Sequence, residues 1–169
     1  MTPYLITPPA VQPVSLSEMR AHLRVDHNDE DADILAKIAG AVAALDAWGG
    51  LLGRCIMPQT WAVDVTGPGP HVLPFPEAAD VTATGVSGAL DTSVKRSFGG
   101  PLVTIEDAEA DEPVMVQFVS GMSAERLPVV KQIIKLMVQR EYDIMAGPDY
   151  EAFTRTIDAL VNVIRWRRV

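Results

Sequence analysis

The hydrophobic period of this chain changes twice, and no other sequence feature constrains the fold as much. From Ser15 to Trp48 the apolar residues recur at helical spacing. From Pro58 they alternate in twos, and beyond Gly121 the helical spacing returns. A chain patterned this way reads as α+β: a mainly helical core of about four helices interrupted by a small antiparallel β insertion. The expected parts are an extended arm over 1–14, a first helical part over 15–57, the insertion over 58–121, a second helical part over 122–164 and a basic tail over 165–169.

The arm holds Pro3, Pro8, Pro9 and Pro13, which remove backbone donors and favour an extended path. Ser15 and Glu18 then have the spacing of a capping box, with Leu16, Met19 and Leu23 on one stripe of a short helix. Residues 26–33 carry five carboxylates and His27. As a calcium loop this run fails, because the sixth position is Asp31 and the twelfth is Lys37, where Gly and Glu are needed. It reads instead as a linker that caps the next helix and places negative charge at its positive end. In that helix Ile34, Leu35, Ile38, Val42, Leu45 and Trp48 form one stripe. Its many alanines, Ala36, Ala39 and Ala43 among them, permit close approach of a neighbouring helix in this chain or the next. Gly49 and Gly50 are expected to end it.

Trp61, Val63 and Val65 alternate with Thr60, Ala62 and Asp64, as in a half-buried strand. Residues 67–70 read as a turn and 71–76 as a short extended piece. Residues 81–86 and 93–98 are weaker strands. The strongest, 102–105 and 114–119, are expected to form a hairpin joined by an acidic loop over 106–112. Helices return with Pro128 in a first turn, where its missing N–H is harmless. Val130, Ile133, Ile134, Met137, Val138 and Tyr142 line one face. Gly147 and Pro148 stop that helix, and a last one spans roughly 150–166 on Phe153, Ile157, Leu160, Val161 and Ile164.

Charge is unevenly distributed within a net −8. Residues 1–57 hold four basic and seven acidic side chains, residues 58–121 hold two and nine, and residues 122–169 hold eight and six. A protein that grips DNA by neutralising phosphates needs a basic face, and only the end of this chain could supply one. The apolar stretches fall short of the roughly 20 residues that a membrane span requires. The proline-rich start lacks the basic region of a signal peptide, so the chain is expected to be soluble and made in a cytoplasm.

Catalytic chemistry finds little support. The single cysteine, Cys55, excludes an intramolecular disulfide and reads as a buried small hydrophobe. His22, His27 and His71 lie far apart in sequence, and no phosphate-loop, dinucleotide or G-x-S-x-G pattern occurs. No catalytic residue, cofactor or metal is expected. The terminal Arg165, Trp166, Arg167, Arg168 and Val169 form the one conspicuous constellation. It admits three readings: a solvated helix end, a docking peg with Trp166 as anchor, or a DNA contact.

Three stretches carry a resemblance. The first is Thr7-Pro8-Pro9, then Pro13-Val14-Ser15-Leu16 and Ala21-His22-Leu23-Arg24-Val25-Asp26. It continues through Glu30-Asp31 to Gly53-Arg54 and Gln59-Thr60-Trp61. The last is Phe118-Val119-Ser120-Gly121, Leu127-Pro128 and Arg140-Glu141-Tyr142. In this order they resemble the phage head–tail connector (adaptor) family of siphophages and gene transfer agents. The resemblance implies a homo-oligomeric ring of about twelve subunits beneath the portal protein, forming part of the DNA conduit. It also implies a tail-side connector or stopper protein as a further partner, and a place in the virion or gene transfer agent particle. Packaged DNA would pass through without specific binding, and no membrane is involved. Within that expectation, 165–169 would dock on the portal. Ala36, Ala39, Ala43, Pro8 and Pro9 would meet neighbouring subunits, and Glu106, Asp107, Glu109, Asp111 and Glu112 would face the channel. The alternative is a small intracellular binding or assembly-factor module that is not retained in the particle.

Overall fold

The computed structural model describes residues 1–97, 99–142 and 150–166. It overturns the expectation of a mainly helical core with a small β insertion. The described chain has four helices and eight strands in two antiparallel sheets, with 34% of residues helical and 30% in strands. It divides into a β unit, made of Met1–Val11, Met57–Met122 and Trp166, and a helical unit, made of Gln12–Ile56 and Ser123–Arg165.

The β unit contains β1 (Tyr4–Thr7), β2 (Gln59–Thr66), β3 (Gly69–Val72), β4 (Ala78–Gly85), β5 (Gly88–Leu90), β6 (Thr92–Ser97), β7 (Gly100–Ile105) and β8 (Pro113–Ser120). Five strands form one sheet in the order β1-β2-β8-β4-β5, and three form the other in the order β3-β7-β6. Alternation in β2 and β8 sends Trp61, Val63, Val65, Val114, Val116 and Phe118 into the interior, where Val103, Ile105, Leu73 and Phe75 join them. The Phe75 ring meets Trp61 edge-on at 5.2 Å and Phe118 at 6.1 Å, so three aromatics form one buried layer.

Two features of this unit depart from the sequence reading. The proline-rich arm contributes β1, an edge strand that pairs Tyr4 with Ala62 and Leu5 with Trp61. Prolines are tolerated at an edge, where one row of backbone groups has no ladder partner. Second, β7 and β8 do not form a hairpin. They belong to different sheets, and the acidic segment between them crosses from one sheet to the other.

The helical unit contains α1 (Leu16–Leu23), α2 (Asp31–Leu45), α3 (Leu127–Tyr142) and α4 (Tyr150–Ile164). Helix α3 packs against both α2 and α4. It buries Val130, Ile133, Ile134, Met137 and Val138, while α2 contributes Ile34, Ile38 and Leu45 and α4 contributes Ile157, Val161 and Ile164. Cys55 is fully buried, as its apolar neighbours suggested.

The capping box is present. The Glu18 N–H donates to Ser15 Oγ at 3.2 Å, and the Ser15 N–H donates to Glu18 Oε2 at 3.0 Å. Lys131 of α3 also donates to Glu18, at 3.0 Å. These donors, the Ser15 backbone N–H first and the Lys131 ammonium next, lower the Glu18 pKa from 4.5 to about 2. The stabilisation from ionised Glu18 is therefore complete above pH 4.5 and disappears as pH falls toward about 2. Wild type should lose urea resistance through that window by an amount that Glu18→Gln no longer shows. Equal pH slopes for the two proteins would contradict this role.

The acidic run places Asp31 and Asp33 in the first turn of α2, as the dipole reading expected, but supplies no side-chain cap. Glu30 makes no side-chain capping bond. It accepts the Tyr142 hydroxyl of α3, Asp31 pairs with Arg20 of α1 at 3.3 Å, and Asp33 pairs with Lys37 at 2.6 Å. The carboxylates thus tie α1 and α3 to the start of α2.

Candidate functional site

No described helix is long and apolar enough to cross a membrane, and no group of three or more His, Cys, Asp or Glu among the described residues is placed to hold a metal ion. The histidines serve local bonding. His22 Nε2 lies 2.9 Å from Gln139 Oε1, and His71 Nε2 lies 3.3 Å from the Gly67 carbonyl. An open pocket of about 520 Å³ in the helical unit is lined by His22, Leu23, Arg24, Gln139 and Tyr142. Its two best-placed polar groups are already committed, His22 to Gln139 and Tyr142 to Glu30. The surfaces carry more information than this pocket.

Three groups of residues were expected to act. Ala36, Ala39 and Ala43 are exposed on α2, on the side opposite Ile34, Ile38, Ala41 and Leu45. Ala32, Gly40 and the 49%-exposed Leu35 extend this into an uncharged stripe, bordered by the exposed Asp33 and its partner Lys37. Pro8 is exposed and Pro9 half-buried, and both belong to the β unit, just beyond β1. That edge is also uncharged: Tyr4, Leu5, Ile6 and Val11 are all exposed. Native edge strands are usually guarded by charge, and this apolar edge is not.

The acidic segment splits into two kinds of residue. Glu106, Asp107, Glu109 and Asp111 are exposed, and their carboxylates have no ion-pair or hydrogen-bond partner among the described residues. Glu112 is half-buried and structural. It accepts the Val86 N–H at 2.7 Å and the Glu109 N–H at 2.9 Å. Backbone donation from Glu109, then Val86, lowers its pKa. A Cβ on Gly85 would overlap the Glu112 carboxylate, so a side chain there would push that carboxylate out of this position. Residue type alone did not separate Glu112 from its four neighbours, since one of its partners is the backbone amide of Val86 in a distant turn.

In the basic tail, Arg165 is exposed and Trp166 half-buried. The Trp166 ring lies beside Gly100, with Cζ2 3.8 Å from where a Cβ on that glycine would stand. Trp166 is therefore seated on the β unit of its own chain. Arg167, Arg168 and Val169 lie outside the described residues.

Lys95 and Arg96 on β6 were missed by the sequence reading. Both are exposed and neither forms an ion pair among the described residues. The signal was present: they are the two basic side chains of the otherwise acidic stretch 58–121.

No protein-family model and no curated protein matches this chain. Among solved structures, its fold is similar to that of a chain from the neck of an empty GTA particle computed with C6 symmetry. That likeness has a TM-score of 0.67 at 19% identity and covers 100% of this chain and 97% of the other. At that identity the two chains share a fold.

Proposed function

We propose that this protein is a structural subunit of the head–tail neck of a phage or gene transfer agent particle. It assembles as a ring beneath the portal and forms part of the conduit for DNA. The observation that carries this reading is the likeness, over the full length of the chain, to a chain of a GTA particle neck. The motifs that resemble head–tail connectors support it independently, because they were identified from residues rather than from coordinates.

The surfaces suit such a role. A closed ring needs two different interfaces on every subunit. The uncharged α2 stripe bearing Ala36, Ala39 and Ala43 and the apolar β1 edge followed by Pro8 and Pro9 provide candidate contacts for neighbouring copies. A conduit must let duplex DNA slide, and a stretch with nine acidic and two basic side chains repels phosphates instead of holding them. The tail over 165–169 is assigned to the portal. Its reach begins at Trp166, where the chain is held on its own β unit. The role is architectural, with no catalytic step.

Negative-stain imaging of portal protein mixed with this chain tests the proposal. A ring of added density on the tail-side face of the portal is the expected result. A chain that stays monomeric and leaves the portal bare would overturn it.

A further inference from the structure

The β unit presents two sets of free charge of opposite sign at opposite ends of its three-stranded sheet. Lys95 and Arg96 stand opposite Leu102 and Pro101 of β7. The acidic segment leaves from the other end of β7, after Ile105, which is paired with Thr92, and the Glu106 N–H donates to the Asp91 carbonyl at that same end. Three to four residues of strand separate the basic pair from this exit, about 10–13 Å along the sheet. The basic residues and the carboxylates of Glu106, Asp107, Glu109 and Asp111 are unpaired among the described residues.

We infer that Lys95 and Arg96 on the β6 edge ion-pair with Glu106, Asp107, Glu109 and Asp111 of a second copy of this chain, the copies meeting end to end along the strand direction. This deepens the ring reading of the proposed function and rests on it. The contact is heterologous: one copy offers its basic end and the next its acidic end, which is the geometry that propagates into a ring. The acidic segment is held in position for it. Glu112 fastens the segment to the turn after β4, and the Gly67 N–H donates to the Glu112 carbonyl at 2.8 Å. The neighbouring carboxylates are therefore displayed from a fixed base.

Charged side chains on an edge strand also deter stray strand pairing. That role needs no acidic counterpart, whereas here four unpaired carboxylates follow the far end of β7. Exposed ion pairs are individually weak. Lys95 and Arg96, consecutive on a strand, leave opposite faces of the sheet and so meet different carboxylates, and the contact gains from steering and register while like-charge contact penalises the wrong orientation.

The test uses the full-length chain in three charge variants: Lys95→Glu with Arg96→Glu, the four changes Glu106→Lys, Asp107→Lys, Glu109→Lys and Asp111→Lys, and all six changes together. Self-association is read by sedimentation between about 0.05 and about 1 M salt, with thermal melts to show that each variant folds. Wild type should associate, and less so as salt rises. Each reversal should weaken association by at least about tenfold, and the combined swap should restore it because the opposed charges are again of opposite sign. Reversals without effect, or a combined swap that fails to recover, would overturn the contact. If wild type associates and the reversals do nothing, this inference fails while the ring reading stands. If wild type remains monomeric both alone and with portal protein, both fail. A basic-pair reversal that spares association but abolishes binding to duplex DNA reassigns Lys95 and Arg96 to DNA and sinks the inference.

Discussion

Phe118→Ala is expected to destabilise the β unit by about 3–5 kcal/mol, the range for removing a buried aromatic ring. Phe118 is fully buried on β8, which lies between β2 and β4, and its ring meets Phe75, which in turn meets Trp61. Truncation opens a void at one end of this layer, and strands paired on both sides of β8 limit how far the walls can close in. Phe118→Leu keeps most of the volume and should cost distinctly less. Urea unfolding followed by tryptophan fluorescence checks both. A Phe118→Ala midpoint within about 1 kcal/mol of wild type would show that the aromatic layer is not the centre of this core.

Gly50→Ala is the second large effect, and its contrast with Gly49→Ala makes it diagnostic. A Cβ on Gly50 would overlap the backbone carbonyls of Asp46 and Leu45, whereas one on Gly49 meets nothing within 4 Å. The obstacle at Gly50 is backbone, so it cannot swing aside. The segment after α2 would have to move as a whole. That segment is held by the Leu51 N–H on the Ala44 carbonyl at 2.9 Å, the Leu52 N–H on the Leu45 carbonyl at 3.1 Å and the Ile56 N–H on Asp46 Oδ1 at 2.7 Å. It also delivers Leu52, Cys55 and Ile56 to the core of the helical unit. Overpacking of this kind costs about 1–3 kcal/mol or more. Gly49→Ala should be neutral or stabilising by up to about 1 kcal/mol, through the lower entropy of the unfolded chain. Equal melting temperatures for the two variants would refute the close-approach argument.

The two glycines show how far the sequence could be read. Gly49-Gly50 looked like the stop of a helix running to Trp48. The helix ends at Leu45 instead, with Asp46 in extended conformation as its cap, and Gly50 serves a close crossing. The sequence marked that glycine was needed here without revealing why. The acidic segment behaves the same way. Its charge was obvious, but the division into four displayed carboxylates and one structural carboxylate depends on Gly85 and Val86, which belong to another strand and its turn.

By itself the sequence determined the local properties of this protein. Helical spacing marked the buried faces of α3 and α4 and most of that of α2, where Leu35 is exposed instead, and twofold alternation marked β2 and β8. The Ser15–Glu18 spacing located the start of α1, and the surroundings of Cys55 put it in the core. Each of these depends on residues within a few positions of one another, so the pattern is visible along the chain. Only the tertiary structure decided which strands are partners. Tyr4 pairs with Ala62, and β7 and β8, consecutive in sequence, fall into separate sheets. Pairing is set by which arrangement of distant segments buries the most apolar surface with its backbone bonds satisfied, and no local period encodes that choice. The opposite ends that Lys95 with Arg96 and the free carboxylates occupy are set instead by the local β6–β7 hairpin, closed at Ser97 and Gly100.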